Sequence, residues 1–402
     1  MILTELYEGK KINKVKVGII TFHYYINYGS VLQSYAMLKA CEALGYDAEL
    51  INYVQTDSAI KHFFKRIIQK VKEIYYKKTI DKNYYCIKRT INKEFQKRKE
   101  IFNIFFRENY KLSNHMHKKK ELKRAAEKYR IVICGSDQIW NQKHSHYHLE
   151  YALNFVNYKT LKIAYAASIG RDKLPFLFKM LLKKYLRRLD AISVREDTAI
   201  KLVKEISGKA PQMVLDPTFL VPYNQWESLC SEPINKEKYI FCYFLGYRTE
   251  NLQCVRDISK TLDLKIYAIP HLQLGYPENY YKFGDVVIND ASPNDFLSLI
   301  KNAEYICTDS FHGTVFSILF HKKFLTFKRY KDEKGCSENH RIISLLKNIG
   351  QEQRIVSDYQ INYAELLKRD IDYEAVENKL EGQRLKSLKF LQKNMEEIYK
   401  KQ

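Results

Sequence analysis

The hydrophobic positions of this chain recur with two spacings that alternate along the sequence. Short apolar runs rich in β-branched residues are typical of buried strands, and they occur at residues 15–20, 131–134, 191–194 and 239–244. Between them lie helical patterns, with apolar residues three and four positions apart, at residues 30–44, 197–206, 251–262 and 293–301. This alternation predicts parallel sheets covered by helices, which is an α/β fold.

The alternation forms two series, with four prolines punctuating the chain between about residues 190 and 237. A chain of 402 residues is also too long for one ordinary core. We therefore predict a Rossmann-like domain over residues 15–200, a second over residues 201–370 and a basic helix over residues 371–402.

The charge of the chain is uneven. The net charge is +22, and residues 61–128 hold 22 Lys and Arg against 7 Asp and Glu, a balance of +15. This segment predicts a basic helical insertion in the first domain. Its first part has an amphipathic pattern, with Phe63, Phe64, Ile67 and Ile68 on one face and lysines around it. Such a helix either lies on an anionic membrane or packs on a core, and no nucleic-acid-binding motif accompanies it.

Composition restricts the location of the protein. The hydrophobic content of 46% is that of a globular protein, and the eight cysteines occur singly, as reduced thiols do. The sequence has no run of about 20 apolar residues and no apolar signal segment at its start. We expect a cytoplasmic protein, with peripheral association at the inner face of the membrane as an alternative.

Ligands of such folds bind beyond the carboxyl ends of the strands, so the loops there are the candidate sites. In the first loop, Asn27, Gly29 and Ser30 open a helix and suit close backbone approach to a ligand, although no GxGxxG fingerprint is present. In the second, Asp137, Gln138 and Trp140 crowd polar groups typical of recognition of hydroxyl-rich ligands. Asp137 could instead only cap a helix.

Two further loops carry a cation and a histidine. Arg195 ends a strand, where its guanidinium suits a carboxylate or phosphate, or else an internal ion pair with Glu196 or Asp197. His312 lies in a strand-to-helix turn before a helical pattern that starts at Thr314. It could exchange a proton with a bound anion or be purely structural.

Three alternating histidines raise the question of a metal site. The residues are His144, His146 and His148, and we favour a solvated loop over a zinc site for them. We expect no metal and no cofactor.

Five motifs in order resemble the polysaccharide pyruvyl transferase family, over roughly residues 15–350. They are residues 29–33, 134–141, 193–196, 215–218 and 310–313. The resemblance implies two Rossmann-like domains facing across a cleft, similar to GT-B glycosyltransferases, with the acceptor on the first domain and the donor on the second. It further implies transfer of pyruvate from phosphoenolpyruvate to two hydroxyls of a sugar, forming a ketal in exopolysaccharide biosynthesis.

The resemblance also implies site residues. The matching arginine and histidine, Arg195 and His312, belong to the family's donor site, and we expect them to meet across the cleft. The family often has an arginine where this chain has Ser310, so Arg341 or the pair Lys328–Arg329 is a substitute cation. The expected donor contacts are Arg195, Ser310, Gly313 and Arg341, and the expected acceptor contacts are Asn27, Gly29, Ser30, Gln138 and Trp140.

For the chemistry, His312 is the candidate for proton transfer, and Asp137 is a second candidate that accepts a hydroxyl proton. The expected partners are phosphoenolpyruvate and a sugar or lipid-linked oligosaccharide. Two alternatives remain open at this point. One is a GT-B-type glycosyltransferase that uses a nucleotide sugar, and the other is a non-catalytic membrane-associated scaffold.

Overall fold

The strands of the described residues form two parallel six-stranded sheets. The structure is a computed structural model, and it describes residues 13–54, 84–116, 118–145, 148–330, 339–357, 359 and 361–400. The predicted amphipathic helix around residues 63–68 lies outside these ranges. Among the described helices, none is long and apolar enough to cross a membrane.

The first sheet has the strand order β2-β1-β3-β4-β5-β6. Its central strands are buried along their whole length, which is why they read as continuous apolar runs. The strands are β1 Asn13–Ile20, β2 Tyr46–Leu50, β3 Ile131–Cys134, β4 Leu161–Ala167, β5 Ala191–Val194 and β6 Gln212–Met213. The helices are α1 Tyr28–Ala43, α2 Tyr84–Asn109, α3 Lys119–Ala126, α4 Gln142–Ser145, α5 Phe176–Leu186 and α6 Asp197–Ser207, with 3₁₀ turns at Leu149–Ala152 and Pro217–Leu220.

The second sheet has the order β12-β11-β10-β7-β8-β9. Its strands are β7 Tyr239–Tyr243, β8 Lys265–Ala268, β9 Val286–Val287, β10 Tyr305–Thr308, β11 Lys323–Phe327 and β12 Ile355–Val356. The helices are α7 Tyr223–Ser228, α8 Thr249–Leu262, α9 Glu278–Tyr281, α10 Pro293–Asn302, α11 Phe311–Leu319, α12 His340–Ile349, α13 Tyr363–Lys368 and α14 Tyr373–Glu396, with 3₁₀ turns at Glu352–Arg354 and Glu397–Tyr399.

The predicted fold class is confirmed: two doubly wound α/β units, a helical insertion in the first and a C-terminal helix. One boundary near the site is corrected. Helix α11 begins at Phe311 and not at Thr314, because the Ser310 hydroxyl accepts a hydrogen bond from the Gly313 N–H at 3.2 Å and caps the helix three residues earlier.

The insertion helix α2 packs against both units. Phe102 and Phe105 are buried beside α1, where Phe102 lies 5.0 Å from the Tyr28 ring. Near the other end of the helix, Ile87 and Ile91 are buried in the cluster that covers the second sheet. The described part of the basic segment therefore connects the two units, and it also carries a charged surface.

The C-terminal helix α14 returns to the first unit after the second sheet is complete. Arg384 donates a hydrogen bond to the Phe219 carbonyl at 3.2 Å, and the Ser387 hydroxyl accepts one from the Leu215 N–H at 2.9 Å. The chain thus crosses between the units twice, which fixes how the carboxyl ends of the two sheets face each other.

Candidate functional site

A cavity of about 680 Å³ lies between the two units, at the carboxyl ends of both sheets. Loops from the first unit contribute Asn27, Ser30, Asp137 and Gln138, and loops from the second contribute residues after β8, β10 and β11. The volume suits a small donor together with part of a sugar. The lining residues of the second unit include His271, Ser310, Phe311, His312, Arg329 and Arg341.

His312 sits on the wall of this cavity at the start of α11 and is 5% exposed. Its ring packs against the start of α1, because a Cβ added at Gly29 would lie only 2.1 Å from His312 Nδ1. Its Nε2 lies 3.6 Å from the Asp216 Oδ2 atom. His312 is thus held between Gly29, at the start of α1, and the buried carboxylate of Asp216.

Asp216 is the buried anion that faces His312, and protein groups surround its carboxylate. It accepts hydrogen bonds from the Ser136 hydroxyl at 3.0 Å and the Thr218 hydroxyl at 2.7 Å, and it pairs with Arg195. Burial alone would raise the pKa of Asp216, but the charges of His312 and Arg195 and the hydrogen bonds outweigh it. The pKa is held well below its usual value, so Asp216 stays ionised.

Arg195 requires a correction. Its guanidinium does not line the cavity; it is buried, and its ion pairs go to Asp216 and to Asp137 at 3.2 Å, not to Glu196 or Asp197. The guanidinium lies 4.5 Å from the centre of the Phe311 ring, which covers it. Arg195 and His312 do meet, through the shared carboxylate of Asp216.

Asp137 lines the cavity but is tied to its neighbours. Besides the pair with Arg195, its Oδ2 accepts a 2.6 Å hydrogen bond from the Ser30 hydroxyl. Burial tends to raise the pKa of Asp137, whereas the charges of Arg195 and His312 and the Ser30 hydrogen bond lower it, and the net pKa is lowered. A carboxylate stabilised in this way is a weak base.

Among the charged groups on the cavity wall, cations outnumber anions. Arg98, Arg329, Arg341 and Lys143 line it, and Asp137 is the single carboxylate among the lining residues of this described cavity. Arg341 is buried and lies 5.7 Å from the Phe311 ring centre. Arg329 donates a hydrogen bond to the Asp309 carbonyl at 3.0 Å.

Arg98 is the cation that comes from the insertion helix α2. Its Nε and Nη1 atoms donate to the carbonyls of Asn289 at 2.7 Å and Pro270 at 2.9 Å in the second unit. Its buried Nη2 atom has no hydrogen-bond partner among the described residues. The guanidinium is therefore fixed in orientation with donor capacity to spare.

The neighbouring His271 has a lowered pKa. Burial is the largest cause, a hydrogen bond with Gln273 opposes it, and the charges of Arg329 and Arg98 add to it, so that together they lower the pKa of His271 to about 4. His271 is therefore neutral at physiological pH.

The remaining predicted residues divide between the wall and its support. Asn27 caps α1 by accepting from the Ser30 N–H at 3.1 Å, and Gln138 accepts from Asn141 at 2.8 Å; both line the cavity. Trp140 does not line it, because its indole is buried and donates to the Tyr151 carbonyl. Gly29 and Gly313 lie behind the wall and allow close packing.

The three histidines considered for zinc are not gathered into one described cluster. His144 lines the cavity, His148 lies 3.6 Å from Glu150, and His146 is outside the described residues.

The comparison with protein families identifies the family of this chain. The model of the family described as polysaccharide pyruvyl transferase matches residues 27–329, which is most of the chain and includes residues on both walls of the cavity but not Arg341. The chain belongs to the polysaccharide pyruvyl transferase family. A comparison with curated protein sequences gave no match.

Solved structures support the fold of this family member. The UDP-N-acetylglucosamine 2-epimerase of Rickettsia bellii is 12% identical, with a TM-score of 0.52 over 94% of this chain and 96% of that one. The epimerase of Methanocaldococcus jannaschii (12% identity, TM-score 0.44, 92% of both chains) and the O-GlcNAc transferase of Thermobaculum terrenum (10%, 0.42, 96% of this chain and 67% of that one) are more distant. The Rickettsia likeness establishes a GT-B-like fold and nothing about the ligand.

Two features of this pyruvyl transferase family member escaped the sequence interpretation. Asp216 stood in a motif, but nothing in the sequence showed that it would face His312 and Arg195 together. Arg98 is one of many cations in a basic helix, and only the packing of α2 singles it out. Arg329 and Arg341 were expected as cations near the site, and both line the cavity.

Proposed function

We propose that this protein transfers a pyruvyl group from phosphoenolpyruvate to two hydroxyls of a sugar, forming a cyclic ketal and releasing phosphate. The observation that carries the proposal is the charge of the cleft, where three arginines and a lysine line a wall that holds a single carboxylate, with His312 on the same wall. Phosphoenolpyruvate brings a phosphate and a carboxylate into a small volume, and guanidinium groups suit both.

In this proposal the donor lies against the second domain. Arg341 and Arg329 bind its two anionic groups, and they replace the arginine that the family often carries at the position of Ser310. Arg195 acts indirectly, because its guanidinium supports the Phe311 ring and the carboxylate of Asp216 from behind. The unit with strands β1–β6 and the unit with strands β7–β12 then correspond to the acceptor and donor sides.

His312 is the proposed proton-transfer residue. It protonates the methylene carbon of phosphoenolpyruvate, which becomes a methyl group and leaves a cation at the neighbouring carbon. A sugar hydroxyl attacks that carbon, and its proton returns to His312. The carbon–oxygen bond to phosphate then breaks, the second hydroxyl attacks the carbon, and its proton leaves with the phosphate.

Asp216 has a supporting role in these steps. An ionised carboxylate 3.6 Å from Nε2 orients the ring and compensates its positive charge. Asp137, whose pKa is lowered, is assigned to holding Ser30 and Arg195 in place rather than to accepting a hydroxyl proton. The sugar binds beside Asn27, Ser30 and Gln138, which line the first-domain wall.

The test is an assay of the purified protein with phosphoenolpyruvate and a panel of sugars that carry neighbouring free hydroxyls. We expect inorganic phosphate to be released and one sugar to gain the mass of a pyruvylidene group. Transfer of a sugar from a nucleotide sugar, with phosphoenolpyruvate inert across the panel, would favour a glycosyltransferase instead.

A further inference from the structure

Helix α5 carries large apolar side chains on the face that points away from the protein. Phe176 is 79% exposed, Leu177 65%, Met180 51% and Leu181 37%. Their spacing along the helix places these four side chains on one side. The opposite side holds Phe178, Leu182 and Leu186, which are buried in the first domain. The helix is thus already anchored, and its outer apolar face is surplus to folding.

Cations surround this apolar face. Residues 173–188 contain six Lys and Arg and no Asp or Glu. Lys173, Lys184, Arg187 and Arg188 are exposed, while Lys179 pairs with Glu205 at 2.7 Å. An exposed apolar face bordered by lysines and arginines is the pattern of a helix that lies in the interface of a bilayer.

We propose that the outer face of α5 docks the protein on an anionic lipid surface. Phe176, Leu177, Met180 and Leu181 enter the boundary between headgroups and acyl chains, and the cations contact the headgroups. This docking surface does not depend on the proposed reaction. It is also distinct from the helix predicted around residues 63–68.

Charge argues against a second copy of the chain as the occupant. A two-fold interface on this face would place the cations of one α5 against the same cations of the other. Like charges that are brought together in this way repel each other. An anionic membrane instead offers an acyl boundary to the apolar side chains and negative headgroups to the cations.

Docking through α5 also suits the position of the cleft. The helix connects the parallel strands β4 and β5, so it runs opposite to them and its first turn lies toward the carboxyl edge of the sheet. Phe176 and Leu177 are in that turn, and the cleft opens at the same edge. A docked molecule would thus hold its cleft close to the lipid surface.

The test uses the full chain in sedimentation with vesicles of phosphatidylcholine alone or with about one third phosphatidylglycerol. We expect binding to the anionic vesicles that weakens with salt. A Leu177→Gln/Met180→Gln variant should bind about tenfold or more weakly, because two inserted side chains are lost. The matched control, Ile234→Gln/Ile361→Gln, changes two apolar residues that are each 53% exposed elsewhere and should bind as the wild type does.

Three results would overturn the proposal. One is the absence of vesicle binding by the wild type. Another is binding that the α5 variant leaves unchanged, which would move the contact to another part of the chain. The third is a wild-type dimer in solution that the α5 variant converts to a monomer, which would make this face a self-association surface. Circular dichroism of each variant shows whether it is folded.

Discussion

At the scale of single residues, the site is a chain of charges that passes from the cleft into the core. His312 faces Asp216, Asp216 binds Arg195, and Arg195 binds Asp137. Each buried charge therefore has a partner, which is the condition under which such groups are tolerated away from water. Within this chain of charges, His312 and Asp137 are the members that line the cavity.

The first prediction concerns His312. The His312→Asn variant should lose pyruvyl transfer by at least about 100-fold, because an amide cannot deliver the proton that His312 is proposed to give to the donor carbon. The control is His321→Asn, whose ring is about half exposed and binds Glu377 on the surface; this variant should keep its activity. Phosphate release measures both. Equal activity of the two variants would remove His312 from the mechanism.

The second prediction concerns pH and His271. Its pKa of about 4 lies below the ordinary 6.5, so the ring is neutral in the free protein. A bound anion offsets the charges of Arg329 and Arg98 and raises this pKa, so binding of phosphoenolpyruvate near pH 5 should take up protons. Calorimetry in buffers of different ionisation enthalpy measures the uptake.

The control for that experiment is His271→Gln, in which the proton exchange that remains comes from groups other than His271. Identical uptake by both proteins would contradict the assignment. The same low pKa makes a stability contribution that is present above pH 6.5 and is lost as the pH falls from 6.5 toward 4.

At the scale of elements, the sequence predicted strands and helix positions well, because buried parallel strands and amphipathic helices have clear periodicities. It could not predict how the starts of α1 and α11 meet, since that contact joins residues almost three hundred positions apart. It also did not separate Arg195, whose charge is used internally, from Arg341, which lines the cleft. Both are arginines near helix starts, and only packing distinguishes them.

The third prediction tests the contact between α1 and α11. A Gly29→Ala methyl group would lie 2.1 Å from His312 Nδ1, so His312 must move. We expect turnover to fall by at least about tenfold, because a small displacement of a catalytic group is costly. In the control, Gly382→Ala in α14, the methyl group meets nothing within 4 Å, and the substitution should stabilise the protein by about 0.5–1 kcal/mol. Unchanged kinetics in Gly29→Ala would contradict the proposed role of this contact.

At the scale of the whole molecule, the two units are joined by more than a linker. The Tyr28 ring of the first unit stacks on Phe296 of the second at 4.6 Å, and its hydroxyl donates to the Ala291 carbonyl at 2.8 Å. Helices α2 and α14 each contact both units. The two series of strand and helix patterns indicated two domains. How the domains bury side chains against each other depends on long-range contacts that periodicity does not encode.

The fourth prediction follows from this shared core. Phe296→Ala should lower the free energy of unfolding by about 3–5 kcal/mol, because the ring is fully buried between the units. Calorimetry should show one transition for wild type and variant alike. The exposed Ile234→Ala should change little. Two separate transitions, with only one shifted by Phe296→Ala, would show that the units unfold independently.

The most direct test of the central claim is a calorimetric titration of the wild-type protein with phosphoenolpyruvate. The account predicts saturable binding to one site, competed by inorganic phosphate and weakened about 10- to 100-fold in Arg341→Met, because a charge-assisted contact is lost. Lys238→Met, which removes an exposed cation far from the cleft, should bind normally. Absence of phosphoenolpyruvate binding, together with saturable binding of a nucleotide sugar, would contradict the account.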